Sequence, residues 1–367
     1  MLRRSRRAVL LQGLALGVTA AVLWWLGHNA AASLQRHGIS LGFTFLKQPA
    51  NFEIGDTAWL RFSPEQSVGR AILVGLVNTA RVSAVGCVLA IALGFIVGIV
   101  RLSPNPAASG LMRTGVELMR NTPLLLLVLL VAASLHALPP TERALHPAPG
   151  VFLSERGLVL PTLRVNGLSL WLGVATGATL LMRRSLGRTG WRTAVTAAAV
   201  AWVISLMARR PTIELAHLDG FNFTGGTTLS PEFAALVAAL VLHHAAHISE
   251  VVRGALLAVP RGQRDAARAL GLSRFQVLRL VTIPLALRAM VPLLATNCVS
   301  LVKNSSLAVA IGFPDLVSIL NTAGNQTGHN IETMLIMMAV YLSLSLSVAA
   351  ALNRYNAVLL AQGTPAQ

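Results

Sequence analysis

His243, His247 and Glu250 fall at i, i+4 and i+7 of an apolar helix, with His244 beside them. Ionisable groups inside a membrane span are costly and often functional, so this stripe could hold a metal ion or relay protons. The same spacing also describes a polar helix face, packed against a partner or reaching water. Asn78, Arg81 and Asn297 likewise stand inside apolar runs. They could line a solute path and meet a carboxylate, or they could hydrogen-bond between helices. No nucleophile–base set or acidic pair stands out, so an intramembrane enzyme has no evident catalytic group. Neither a metal centre nor a cofactor is expected. A phosphate-cradling loop needs Gly-Lys-Ser/Thr, and the two lysines, Lys47 and Lys303, follow Leu46 and Val302. If transport is driven by ATP, a separate ATPase is therefore obligatory.

The stretch Glu250–Pro292 reads as two short helices joined by an elbow. Pro260 suits a helix start, where its missing N–H costs nothing. Gln263–Leu270 is rich in Ala, Leu and Arg, all strong helix formers. Gly271 supplies the left-handed residue that ends a helix. Ser273 and Gln276 form an S-x-x-Q capping box for the next one, and Pro284 terminates or kinks it. Ala266, Ala267 and Leu270 take adjoining positions, where small side chains let a helix sit close in another protein's groove. Asp265 lies on the same helix, where negative charge suits the dipole. A loop this thoroughly capped is suited to being gripped.

Composition says what must position these groups. The chain has 367 residues, 54% of them hydrophobic and only 12% charged. A soluble domain carries about 25% charged residues, so lipid must solvate much of this surface. Apolar runs near 8–27, 71–100, 122–138, 167–182, 193–208, 233–249, 286–302 and 333–352 predict about eight transmembrane helices in an all-α membrane protein. The stretch Leu307–Leu320, with Pro314 and Asp315, is short and reads as interfacial or re-entrant. The first run follows Arg3-Arg4-Ser5-Arg6-Arg7 and is longer than a signal-peptide core, which favours an uncleaved helix. With the N-terminus inside, the inner segments carry 19 Lys and Arg against 10 outside, and 3 of the 13 acids. The positive-inside rule then places both termini in the cytoplasm and the elbow with them. The net charge of +17 belongs to this asymmetry. Its arginines form no stripe with interleaved aromatics, so nucleic acid is not an expected partner. Cys87 and Cys298 lie in apolar runs and read as packing residues.

The elbow resembles the EAA loop of the inner-membrane subunits of binding-protein-dependent ABC importers. Asp265-Ala266-Ala267, then Gly271, then Val281-Thr282-Ile283-Pro284 keep both spacings of that signature, with Asp for Glu, Val for Ile and Ile for Leu. Arg268-Ala269-Leu270-Gly271-Leu272-Ser273, Leu301-Val302-Lys303-Asn304-Ser305-Ser306-Leu307 and Arg120-Asn121-Thr122-Pro123-Leu124-Leu125 are similar to the polar amino-acid branch. Leu285 departs from the Gln frequent there. The Gly225–Glu232 stretch and the extra spans look like the first permease of the general L-amino-acid importers. The resemblance implies a type I ABC importer transmembrane domain over 70–356, with a helical-hairpin insertion near 165–210. An N-terminal helix and periplasmic loop (1–69) would precede it, and a short cytoplasmic tail (357–367) would follow. It also implies that Asp265, Ala266, Ala267, Leu270, Gly271 and Pro284 belong to the ATPase-coupling loop. The implied partners are a second, non-identical permease, two ATP-binding subunits gripping the loops around 260–285 and 104–122, and a periplasmic amino-acid-binding protein. The place would be a bacterial inner membrane. The rival expectation is a secondary transporter or channel for small polar solutes, working alone on an ion gradient.

Overall fold

The structure, a computed structural model, describes residues 6–36, 42–57, 59–164, 195–203 and 212–361. The membrane part is helical: α1 (Arg6–Arg36), α2 (Val68–Val100), α3 (Pro106–Asn121), α4 (Leu124–His136), α5 (Pro231–Ala258), α6 (Arg261–Ala269), α7 (Arg274–Val277), α8 (Ile283–Asn304), α9 (Leu316–Thr327) and α10 (Asn330–Ala361). Among the described residues, five helical stretches are long and apolar enough to cross a bilayer, or six if the pair α3 and α4 is one broken span. These six match the first, second, third and last three of the predicted runs. The fourth and fifth, and the hairpin near 165–210 built on them, lie largely outside the described residues, where only 195–203 are seen as helix. The number eight therefore stays an expectation.

Local chemistry explains the helix ends. Ser67 caps α2 by accepting from the Arg70 N–H at 3.3 Å, and Ser230 caps α5 from Phe233 at the same distance, with Pro231 in the first turn. Thr122 precedes Pro123 and is driven out of the helical region (φ −81°, ψ 126°), so α3 and α4 meet at a 107° bend. Of the two outcomes expected at Pro284, a stop or a kink, the stop does not occur. The chain runs from α7 through a wide π turn, Leu278–Thr282, straight into α8, with Pro284 in that helix's first turn. The extra residue per turn relieves the clash between the proline ring and the preceding turn. The Thr282 hydroxyl donates to the Val277 carbonyl at 3.2 Å.

The main core forms where α2 and α5 cross, with α4 and α8 packed against α5. The crossing is close because Gly94 and Gly98 present bare backbone to α5. A Cβ at Gly94 would stand 2.6 Å from Ile248 Cγ2 and 2.9 Å from the Ala245 carbonyl oxygen. At Gly98 it would meet Val252 at 2.8 Å and the Ser249 carbonyl oxygen at 2.9 Å. Carbonyl oxygens of a helix cannot retreat as a side chain can, so Gly94→Ala forces the helices apart. The expected cost is about 1–3 kcal/mol of overpacking, read as a lower unfolding midpoint of the purified chain in detergent. An unchanged midpoint would mean that the crossing tolerates separation.

A second core lies at the other end. Phe45, on the segment before α2, is fully buried among Val68, Ala71, Ile72, Leu316, Ile319 and Leu320. It stacks on His329 at 4.7 Å, whose Nδ1 lies 2.9 Å from Glu332 Oε1; that oxygen also accepts from the Gly42 N–H at 2.9 Å.

The segments around 145–164, part of a stretch (139–166) whose Pro139-Pro140 and Pro147-Ala148-Pro149-Gly150 read as turns of an outer loop, and 212–229 contain short strands. These are β1 (Leu145–Ala148), β2 (Val151–Ser154), β3 (Gly157–Leu160), β4 (Thr162–Arg164), β5 (Thr212–Glu214), β6 (His217–Asp219), β7 (Asn222–Thr224) and β8 (Thr227–Leu229). An antiparallel sheet runs β1-β2-β3-β8, with Phe152 opposite Val159 and Leu158 opposite Leu229. Two-stranded pairs β4–β5 and β6–β7 accompany it. Phe152, Val159, Ala144 and Ala216 form its small core, with Phe223 packed alongside. The strands are three or four residues long, too short for period-two alternation to announce them.

Candidate functional site

The elbow between α5 and α8 is built as local rules dictate. Gly271 takes φ +79°. Its N–H donates to the Arg268 carbonyl at 2.9 Å, and the Leu272 N–H reaches the Ala267 carbonyl at 3.3 Å. These bonds satisfy the carbonyls that the end of α6 would otherwise leave open. The capping box closes the other side: Ser273 Oγ accepts from the Gln276 N–H at 3.3 Å, and Gln276 Oε1 accepts from the Ser273 N–H at 2.8 Å. Both ends of the turn are thereby fixed.

Among the elbow's exposed charged residues stand three large apolar side chains. Leu270 is 82% exposed, Phe275 67% and Leu280 59%. Asp265 and Ala266 are exposed as well, and Asp265 lies 3.6 Å from Arg268 in an open ion pair. Ala267 is buried, on a helix that packs against α7 and the π turn. Pro284 is exposed where the elbow rejoins α8. Asp265, Ala266, Leu270 and Gly271 thus lie on one short stretch, Ala267 supports it from within, and Pro284 closes it. Sequence reasoning passed over Phe275 and Leu280; their signal was apolar side chains in a charged loop.

The polar residues inside the spans are placed otherwise. Asn78 Nδ2 donates to the Asp56 carbonyl at 2.9 Å and the Pro314 carbonyl at 3.0 Å. Arg81 pairs with the Asp56 carboxylate at 3.2 and 3.4 Å, and its guanidinium lies over the Phe233 ring, 4.0 Å from the centroid. Ser230 donates to the same carboxylate at 3.2 Å. Arg81 and Asp56 side chains are 5% and 9% exposed. Asn78 and Arg81 therefore join one network that ties the segment before α2 to the start of α5 and the turn before α9. Asn297 stands apart, on α8, donating to the Leu293 carbonyl of its own helix at 2.9 Å. Asp56 was missed by sequence reasoning, although a buried arginine demands a counter-ion.

The histidine stripe lies among polar and charged neighbours from other helices. Glu250 meets Arg101 at 2.8 Å, Arg253 at 3.2 Å and Arg120 at 3.4 Å. Its carboxylate is committed to guanidinium groups. His243 and His247 meet edge to face, 4.8 Å between centroids, and His244 Nε2 lies 3.2 Å from Asn304 Nδ2. Among the described residues no group of three His, Cys, Asp or Glu is arranged to hold a metal ion. Cys87 and Cys298 are free thiols.

Comparison with known proteins adds the family evidence. Residues 90–357 match the family described as binding-protein-dependent transport system inner membrane component. The chain is 36% identical over 367 residues to the general L-amino acid transport system permease protein AapQ of Rhizobium johnstonii, covering 96% of this chain and 92% of that protein. It is 39% identical over 367 residues to the putative amino-acid ABC transporter permease protein YhdX of Escherichia coli, covering 95% and 93%. With the glutamate/glutamine/aspartate/asparagine transport system permease protein BztB of Rhodobacter capsulatus it shares 35% over 396 residues, covering 95% and 93%.

Proposed function

This chain belongs to the family of binding-protein-dependent transport system inner membrane components, and from that premise we propose that it carries amino acids and is driven through its elbow by a separate ATPase. As a permease of the type I ABC importers, general amino-acid branch, it is a multi-pass inner-membrane protein and not itself an enzyme. The observation that carries the coupling role is the set of large apolar side chains that the elbow leaves exposed. A monomer gains nothing by holding Leu270, Phe275 and Leu280 in water on a rigid, doubly capped turn. A cleft on an ATPase that covers them gains burial, and a rigid lever transmits its motion.

In this reading α6 is the coupling helix, both termini are cytoplasmic, and a second permease, similar but not identical, completes the path. ATP closes the ATPase dimer and draws the elbows together. The helices then rock from inward- to outward-facing as rigid bodies. A periplasmic binding protein supplies the solute. The long relatives that match nearly all of this chain support amino acids as cargo.

Reconstitution tests it. With a second permease, the ATPase and the binding protein, liposomes are expected to accumulate labelled amino acids only when ATP is inside the cytoplasmic-facing compartment. This chain alone, under an ion gradient, is expected to accumulate none. Gradient-driven uptake by the lone chain would establish the rival transporter reading.

A further inference from the structure

A second site lies where α2 ends, α5 approaches its end and α3 crosses them. Arg101, Arg113, Glu117, Glu250 and Arg253 line a polar cleft of about 510 Å³, together with Ser109 and the first turn of α3. Its charge is lopsided. Glu250 alone answers three guanidinium groups, those of Arg101, Arg120 and Arg253. Arg113 has Glu117, at 2.9 Å. Three arginines of the lining, Arg101, Arg113 and Arg253, thus face two carboxylates, with Arg120 drawing on Glu250 from beside the cleft, and Arg101 holds its charge at only 7% side-chain exposure. Such crowding of like charge is unfavourable unless another anion enters. The geometry leaves room for one. Among the described residues, Arg253 engages Glu250 through Nε and Arg113 engages Glu117 through Nε. Each keeps its pair of terminal nitrogens, the fork that fits an oxyanion.

The setting names the anion. α3 carries Arg113 and Glu117 on the cleft side, and leaves Leu111 and Leu118 exposed on the other. An amphipathic helix of this kind lies at the level of lipid headgroups. Basic pockets between membrane helices on the cytoplasmic side are suited to anionic headgroups, each arginine near the surface adding to the attraction.

We propose that this cleft binds phosphate, supplied by the headgroup of an anionic phospholipid of the inner leaflet. The site is independent of which solute is carried; it rests on the cytoplasmic orientation proposed above and shares Ser109, Arg113 and Glu117 with the 104–122 stretch that the resemblance assigns to the ATPase.

The full chain, purified in mild detergent, is titrated with phosphatidylglycerol or phosphatidylcholine, and retained lipid is read by native mass spectrometry. Phosphatidylglycerol is expected to bind the more tightly. The pair Arg113→Gln and Arg253→Gln is expected to weaken it about thirtyfold, while phosphatidylcholine binding stays level. Arg143→Gln, in the segment after α4, serves as the control for simple charge loss. Should the double variant fail to elute as a single species, Arg253→Lys keeps the charge without the fork and is expected to lose a smaller part of the affinity. Millimolar inorganic phosphate separates the sources: competition adds free phosphate as an occupant, and none assigns the site to lipid. Equal retention of the two lipids, or of phosphatidylglycerol by wild type and both variants, overturns the proposal. So does loss of the lipid once the ATPase subunits are bound.

Discussion

Gly271→Asp is expected to leave the protein inserted and folded, yet abolish both uptake and co-purification with the ATPase. Gly271 sits at φ +79°, and a Cβ there would meet nothing within 4 Å. The substitution therefore creates no clash. Its local cost is that of a side chain in the left-handed region, about 1–2 kcal/mol, and aspartate is among the residues that bear it best. What changes is the face offered to the partner. A carboxylate appears beside Leu270, and the turn that sets α6 against α7 is strained. Burying that charge without a partner is costly, so binding is expected to fall at least tenfold, the scale of an interface hot spot. Two controls separate folding from docking. Gly271→Asn accepts the same backbone without the charge and is expected to keep more of the binding. Leu270→Ala removes a side chain that is 82% exposed, so the isolated chain is expected to keep its stability within about 0.5 kcal/mol while the complex weakens. Wild-type uptake by Gly271→Asp, or equal ATPase retention, would remove the elbow from the coupling path.

The elbow was legible from sequence because its determinants are local. A glycine for the left-handed turn, an S-x-x-Q box and helix-forming residues between them act within a few positions of one another. The helix–helix crossing is half legible: the spacing Gly94-x-x-x-Gly98 permits close packing of membrane helices, but does not say that Ile248 and Val252 meet it. Pro284 carried its usual meaning as a breaker, and only the chain's route showed that a π turn absorbs it. The histidine stripe was ambiguous in principle, since i, i+4 and i+7 suit a metal site and a packed polar face alike. The arginines that claim Glu250 come from 101 and 120, far from it along the chain. The same limit hid Asp56. Nothing periodic connects a turn-rich segment to a helix 25 residues on, so the sequence posed the cost of Arg81 without naming what offsets it.

That pair gives the second large effect. Asp56→Asn or Arg81→Met alone removes one charge of the buried pair and keeps the other, in a network that also holds Asn78 and Ser230. Each is expected to cost about 3–5 kcal/mol, enough to remove most of the folded protein from detergent extracts. Changing both, Asp56→Leu with Arg81→Met, removes the two charges together. Apolar replacements of a buried ion pair are often neutral or stabilising, so the double variant is expected to recover much of the unfolding midpoint. The cycle also decides between the two roles open to Arg81. If its charge serves only to hold the segment before α2 against α5, uptake returns with the fold. If the guanidinium meets the solute during transport, the double variant folds but stays inactive, and its apparent affinity for the amino acid falls. Single variants as stable as wild type would show that water, rather than Asp56, solvates Arg81 in the membrane.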